Sequence, residues 1–319
     1  MAGRRFLNLV VAATAALVSY ALLLQARAGG LPAPASDLAP SEARVSTAPP
    51  AAPSPDQRLR LMSATSLLAS NQVVSFYGNP LSPDMGILGQ HDPETLAELL
   101  RALRDRIDER NGDLGAVGAF HIVATVAQST PGPDGRYRYR LDAETIEPYL
   151  RLARERGFLV ILDLQAGRSD VIVEVAHALP LLRQPGVHLA LDPEFAVGPD
   201  DVPGERIGSL TADQINAAQW LLSRLAEGMA ERKMLIVHQF RADMIANPES
   251  LRRFAGVDLV IDMDGFGPAA VKRAQYEAFA GADYAPFPGI KLFLEHDPDL
   301  MSDEDLLNLA PRPAVVVYQ

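Results

Sequence analysis

The sequence predicts one α/β domain, a single (β/α)8 barrel of the TIM type. Two patterns alternate from Asp56 to the C-terminus: short β-branched runs that end in polar residues, and longer amphipathic stretches. Strands that alternate with helices are joined by crossovers and therefore lie parallel. Eight such units in roughly 260 residues are typical of a closed barrel. An open, doubly wound sheet is the alternative that the same alternation allows.

The eight predicted strands share an apolar body rich in Val, Ile and Leu, followed by polar residues. They are Val73–Tyr77, Ala119–Ala127, Leu159–Gln165, His188–Glu194, Met234–Phe240, Leu259–Asp264, Ile290–Glu295 and Ala314–Tyr318. Because the last of these ends the chain, no eighth helix follows it.

Helix starts between the strands are marked by residues that cap a first turn. Asp92 precedes Pro93, which suits the first helical position, and Thr211 with Gln214 forms a capping box. The amphipathic stretch Asp56–Ser70 lies ahead of the first strand. We expect this N-terminal helix to replace the missing last helix of the barrel.

The N-terminal region is predicted to target the protein rather than to belong to its fold. Residues 1–28 contain the basic pair Arg4 and Arg5, an apolar run and an Ala-x-Ala cleavage signal, which together indicate a signal peptide or an uncleaved signal anchor. Residues 29–55 are rich in Ala, Pro and Ser and are expected to form a disordered linker. The barrel domain, 56–319, is then extracytoplasmic, either secreted or anchored to the membrane by this segment.

Composition excludes several classes of function. The chain has no cysteine, which removes disulfides, thiolate metal sites and cysteine nucleophiles. Its formal net charge of −11 argues against binding nucleic acid, because phosphate recognition needs a basic surface. Contact with a membrane is expected only through the N-terminal segment.

The candidate site is predicted at the C-terminal ends of the strands, where TIM barrels carry their functional residues. Asp192 and Glu194 share one face of their strand, as do Asp262 and Asp264, because side chains alternate along a strand. Carboxyl groups that converge in a low-dielectric site cannot all ionise at their normal pKa, and a raised pKa is what a general acid requires. The other polar and aromatic candidates at strand ends are Tyr77, Asn79, Asp163, Gln165, Phe195, His238, Gln239, Arg241, Phe266, Glu295, His296 and Tyr318.

Glu194, after the fourth strand, and Glu295, after the seventh, give the chain a resemblance to the large clan of retaining barrel glycosidases. The resemblance implies that Glu194 is the proton donor and Glu295 the nucleophile. Leu191–Phe195 also resembles, more faintly, the Asp-x-Glu strand end of chitinase-like barrels, in which the glutamate is the acid and the amide of the substrate is the nucleophile. The segments Leu191–Phe195, Val237–Phe240 and Met263–Gly267 resemble a family of exported bacterial proteins, which implies no particular activity.

The residues and the resemblance together predict an exported glycoside hydrolase-like protein that acts on a carbohydrate or a cell-envelope glycan and uses no cofactor. Cleavage of a glycosidic bond requires one protonated and one ionised carboxyl group across the bond. Asp192 is expected to assist catalysis, and Asp264 to tune pKa values or bind hydroxyl groups. We expect the remaining candidates to bind substrate. The floor of the site is expected to be formed by His238, Gln239 and Arg241, and the faces that stack on sugar rings by Tyr77, Phe195, Phe266 and Tyr318.

Two alternatives remain open. One is a non-catalytic barrel that binds a glycan or a cell-wall component. The other is a metal-dependent hydrolase, for which acidic strand-end residues provide suitable ligand types. Among the histidines, only His238 and His296 are placed to serve such a site, because His121 is assigned to the middle or lower part of its strand. No metal site is therefore predicted.

Overall fold

The computed structural model describes residues 65–229, 231–280 and 282–319. The predicted targeting segment 1–28, the predicted linker 29–55 and the first part of the predicted N-terminal helix lie outside these residues. Within the described ranges, no helix is both long and apolar enough to cross a membrane.

Eight parallel strands form a closed barrel, and these are the eight predicted strands. They are β1 (Asn71–Gly78), β2 (Gly115–Ala127), β3 (Leu159–Leu164), β4 (Val187–Leu191), β5 (Lys233–Gln239), β6 (Val257–Met263), β7 (Phe287–Leu292) and β8 (Val315–Tyr318). Each strand pairs with the next, and β8 closes onto β1 with Val315 opposite Val73. The prediction of a single TIM barrel is confirmed, and the open sheet is excluded.

Helices surround this barrel in the order that the crossovers require. They are α1 (Pro93–Asp108), α2 (Ala143–Arg156), α3 (Val171–Leu182), α4 (Ala212–Ala226), α5 (Ala269–Ala280) and α6 (Asp303–Leu307). The connection from β5 to β6 contains short 3-10 turns where the other crossovers have α-helices. Thr211 and Gln214 form the predicted capping box at the start of α4.

Alternation along the strands produces two hydrophobic cores. On β1, Val73 and Tyr77 belong to the cluster inside the barrel, whereas Val74 and Phe76 belong to the larger cluster between the strands and the helices. The middle of the interior is apolar and is filled by side chains such as Ile161, Ile236 and Val260, whereas His188 and Asp258 face inward at the bottom. A larger set of polar inward-facing residues lies closer to the C-terminal ends of the strands.

The described part of the predicted N-terminal helix, residues 65–70, contains one 3-10 turn, Leu67–Ala69. Leu68 is buried with the interior cluster, and the hydroxyl of Ser66 donates to Asp258 Oδ2 at 2.7 Å. This turn therefore closes the bottom of the barrel and does not occupy the position of an outer helix. The rest of the stretch, 56–64, lies outside the described residues.

Leu68→Ala is expected to lower the stability of the folded barrel by about 2–3 kcal/mol, because it opens a cavity at the end of the interior core. Thermal unfolding followed by circular dichroism measures the effect. Leu99→Ala is the matched control, since Leu99 is 40% exposed on the helical surface. An equal loss of stability in both variants would contradict a closing role for Leu68.

Candidate functional site

A layer of polar side chains lies inside the upper half of the barrel. Each member occupies an inward-facing position on its strand or directly after it, and almost all are buried. We call this set the polar layer; its members are Tyr77, His121, Asp163, Asp192, Glu194, His238, Asp262, Asp264 and Lys291. Seven of the eight strands contribute to it, which places the layer on the axis of the barrel.

His238 lies between carboxylates from three positions. Its Nε2 is 3.2 Å from Asp163 Oδ2, and its Nδ1 is 3.0 Å from Asp262 Oδ2 and 3.5 Å from Asp264 Oδ2. All three carboxylates raise the pKa of His238 well above its usual value, against the opposing effect of burial. His238 is therefore a buried cation that links β3, β5 and β6.

His121 and Lys291 complete the interior contacts. The His121 ring stacks on that of His238 with centroids 5.6 Å apart, and its Nε2 is 3.7 Å from Asp163 Oδ2. Burial lowers the pKa of His121 well below its usual value, so the ring is neutral. The Lys291 ammonium lies 3.6 Å from the centre of the Tyr77 ring, a cation–π geometry.

Asp192 and Glu194 lie where β4 gives way to the short turn Pro193–Phe195. Asp192 is buried and accepts a hydrogen bond from the backbone N–H of Glu194 at 3.1 Å, which fixes the turn. Gln165 reaches the other Asp192 oxygen at 3.5 Å and is itself held by the Ala127 N–H. Glu194 is half-buried, so it is the carboxyl group of this pair that solvent can reach.

The carboxyl groups of the polar layer differ widely in pKa. Burial raises the pKa of Asp192 to about 7, and Asp163 and Asp264 add to the rise. Burial also raises the pKa of Glu194 well above its usual value, with Asp192 and Asp264 contributing. Burial alone would raise the pKa of Asp163, but His238, His121 and Lys291 outweigh it and lower the pKa to about 2. The layer thus contains both protonated and ionised carboxyl groups near neutral pH.

The loops after β6 and β7 are joined by a buried ion pair. Lys272 Nζ is 3.1 Å from Asp297 Oδ2, and the two oxygens of Asp297 accept the backbone N–H groups of Gly267 and Phe293 at 2.9 Å. These contacts bring Phe266 against Phe293, with ring centroids 6.0 Å apart. Phe266, after β6, and Phe195, after β4, are each half-buried, so two aromatic side chains follow the C-terminal ends of these strands.

A polar cavity of about 410 Å³ adjoins the segment that carries Glu194. Ala196 and Gly208 line it, and the Gly208 N–H donates to the Glu194 carbonyl at 2.6 Å. Arg206 and Arg241 also line the cavity, and Arg241 forms an ion pair with Asp243. The predicted substrate-binding residue Arg241 therefore lies at the rim and not on the floor of the site.

Glu295 and His296 lie apart from the polar layer. Strand β7 ends at Leu292, so Glu295 occupies an exposed turn three residues later and accepts a hydrogen bond from Gln90 at 3.1 Å. Both residues line a separate cavity of about 40 Å³. The inward-facing side chain at the end of β7 is Lys291, and the structure does not bring Glu295 together with Glu194.

Three other predicted site residues pack or hydrogen-bond within the fold and do not face the mouth of the barrel. Tyr318 alternates with the inward-facing Val317, so it belongs to the outer core between strands and helices. Gln239 likewise faces outward and accepts from the Tyr284 hydroxyl at 3.2 Å. Asn79 donates to the Val123 carbonyl at 3.2 Å and accepts from the Leu81 N–H at 2.8 Å, which shapes the loop after β1.

His121 and Lys291 were not among the candidate site residues predicted from the sequence. The signal for both was strand alternation: His121 lies between the inward-facing Ala119 and Val123, and Lys291 is two residues after Gly289. β2 runs from residue 115 to 127, which places His121 halfway along a long strand and yet within the polar layer.

Comparison with known proteins adds only a weak structural similarity. No family model matches the chain, and no curated protein matches it. Among solved structures, the fold is similar to the Clostridial cellulose synthase subunit Z (CcsZ) from Clostridioides difficile, with 8% sequence identity and a TM-score of 0.41 over 78% of this chain and 91% of that one. A similarity at this level says nothing about substrate or activity.

Asp192→Asn is expected to make the protein more stable at pH 8, by on the order of a few kcal/mol, and to leave stability unchanged at pH 3. The pKa of Asp192 is about 7 in the folded state, compared with the usual 3.8, so between these pH values the folded state binds more protons than the unfolded state. The contribution of Asp192 to stability therefore falls as pH rises from about 4 to about 7. Asn retains an oxygen that can accept the Glu194 N–H.

Urea unfolding at a series of pH values measures this difference, with Asp200→Asn, an exposed carboxyl of the following loop, as the control. A difference between Asp192→Asn and wild type that does not vary with pH would show that Asp192 ionises normally.

Proposed function

We propose that the mouth of this barrel binds a glycan and that Glu194, with the carboxyl groups around it, hydrolyses a glycosidic bond. The observation that carries the proposal is the position of Glu194: half-buried at the end of β4, fixed by Asp192, and surrounded closely enough by protein to raise its pKa. A protonated carboxyl group that substrate can reach is the requirement for a general acid.

Asp264 is proposed as the second carboxyl group of the reaction. It lies directly after β6, faces the same mouth, and its Oδ1 makes no hydrogen bond in the structure. In the proposed reaction Glu194 gives its proton to the glycosidic oxygen as the bond breaks, and the Asp264 carboxylate faces the positive charge that develops on the sugar. A water molecule then adds to the anomeric carbon and gives its proton to the Glu194 carboxylate, which restores the acid. Asp192 is a positioning residue, because it holds the backbone of Glu194.

Glycan binding is supported by the surroundings of Glu194. Phe195 and Phe266 are half-exposed aromatic side chains near the opening, and such faces pack against sugar rings. The polar cavity of about 410 Å³ lined by Ala196 and Gly208, in the loop that follows Glu194, provides space for a further unit of an oligosaccharide. Export by the predicted segment 1–28 would bring this mouth to the glycans of the cell envelope.

Glu194→Gln is expected to reduce turnover by about 10²–10⁴-fold, because it removes the general acid while preserving the size of the side chain. The full-length protein is incubated with a panel of soluble oligosaccharides and cell-envelope glycans, and newly formed reducing ends are measured. Asp264→Asn is expected to lower turnover as well.

Glu295→Gln is the matched control and is expected to leave turnover unchanged, because Glu295 is exposed and bound to Gln90. A loss as large as that of Glu194→Gln would restore Glu295 as the second carboxyl group and overturn the assignment to Asp264. Glycan binding without turnover, with equal affinity in Glu194→Gln, would identify a non-catalytic binding barrel. Absence of both binding and turnover across the panel would end the proposal.

A further inference from the structure

His121, Asp163 and His238 bring three potential metal ligands together inside the barrel. They come from β2, β3 and β5, all three are completely buried, and one ligand atom of each lies within 4.8 Å of the others. Asp163 Oδ2 is 3.7 Å from His121 Nε2 and 3.2 Å from His238 Nε2. Two donors bound to one tetrahedral zinc ion lie roughly 3.4 Å apart, given metal–ligand distances of about 2.0–2.2 Å. The observed separations lie on either side of this value.

His121 lacks the hydrogen bonds that a buried imidazole normally has. Neither of its ring nitrogens makes a hydrogen bond, although the side chain has no exposed surface. A buried polar group without a partner is rare and costly, and coordination of an ion is one way to satisfy it. Because Nε2 points toward Asp163, an ion between the two side chains would provide that coordination.

His238 has the surroundings of a metal ligand, provided that the ion displaces the Nε2 proton that faces Asp163. Histidines that bind a metal through one nitrogen usually donate the other N–H to a carboxylate, and His238 Nδ1 is 3.0 Å from Asp262 Oδ2. Carboxyl groups also outnumber basic groups in the polar layer. Its basic groups are Lys291 and the two imidazoles, and its carboxyl groups are those of Asp163, Asp192, Glu194, Asp262 and Asp264. A divalent cation bound here would replace protons that balance the charge of these carboxyl groups in its absence.

We propose that His121, Asp163 and His238 form a binding site for one divalent transition-metal ion of the zinc type. Two imidazoles and one carboxylate suit zinc, whereas magnesium prefers a shell of oxygen ligands. The site is a separate proposal from glycosidic cleavage, since it rests on ligand geometry and is tested by binding.

Tag-free, full-length protein treated with EDTA and then dialysed is titrated with zinc chloride, and separately with magnesium chloride, in a calorimeter. We expect one equivalent of zinc to bind and magnesium to bind far more weakly. Zinc at 100 times its Kd should raise Tm by about 5 °C, because it binds only the folded state. If zinc neither binds nor raises Tm, the cluster is a proton-sharing network of Asp and His and the proposal fails.

Variants locate the site. His121→Asn and Asp163→Asn are expected to weaken zinc binding by more than about 100-fold, and Asp262→Asn by about 10- to 100-fold through the orientation of His238. His91→Asn, the same change at an exposed histidine, should bind zinc as wild type does. Unchanged binding in both His121→Asn and Asp163→Asn would assign the zinc to another place and overturn the proposal.

Zinc-edge X-ray absorption of the loaded wild-type protein gives a second readout that does not depend on variants folding. The spectrum should show a shell of nitrogen and oxygen at about 2.0–2.1 Å with the multiple scattering of two imidazoles. A spectrum without imidazole scattering would exclude this site.

Discussion

His238 holds the polar layer together, because its two ring nitrogens face carboxylates that come from different strands. Asp163 lies on one side of the ring and Asp262 on the other, at 3.2 and 3.0 Å. A carboxylate in a barrel interior loses its hydration and is tolerated only beside a positive charge or hydrogen-bond donors. β7 accommodates this arrangement at Gly289, where a Cβ would lie 2.7 Å from Asp262 Oδ1. Burial raises the pKa of Asp192 and of Glu194, and the positive charge of His238 offsets only part of that rise.

The sequence predicted the barrel well because its signal is repeated eight times. Apolar runs that alternate with amphipathic helices admit few topologies, and short crossovers select the closed one. The N-terminal helix was predicted less well, since amphipathic periodicity indicates that a segment is buried on one side and not where it docks. Leu68 packs into the bottom of the barrel, in the same cluster as Met234 and Val260. These residues lie more than a hundred positions away from Leu68 in the sequence.

Alternation along the strands predicted which side chains face the interior, but it could not predict the course of the chain after a strand ends. Asp192, Glu194, Asp262 and Asp264 were assigned to the interior on their alternation, and the structure brings them into one layer. The polar tip of β7 is different: Glu194 also lies three residues after its strand ends, but Asp192 fixes the turn that carries it, whereas Glu295 is exposed and hydrogen-bonded to Gln90. Polar residues at other tips, such as Asn79 and Gln239, hydrogen-bond to a neighbouring strand and to loops instead of lining the mouth.

Charge compensation distinguishes the two ends of the barrel more clearly than the number of polar groups does. At the bottom, buried Lys233 lies 2.8 Å from Glu231, and Asp258 is paired with Arg232 at 2.7 Å and with the Ser66 hydroxyl. Opposite charges are matched there, as expected of groups that stabilise a fold. At the mouth, Lys291 and the charged His238 face a larger number of carboxyl groups. Asp192 and Glu194 have raised pKa values and retain protons, which reduces the excess of negative charge. Groups maintained in that state cost stability, which makes this end of the barrel the candidate functional site.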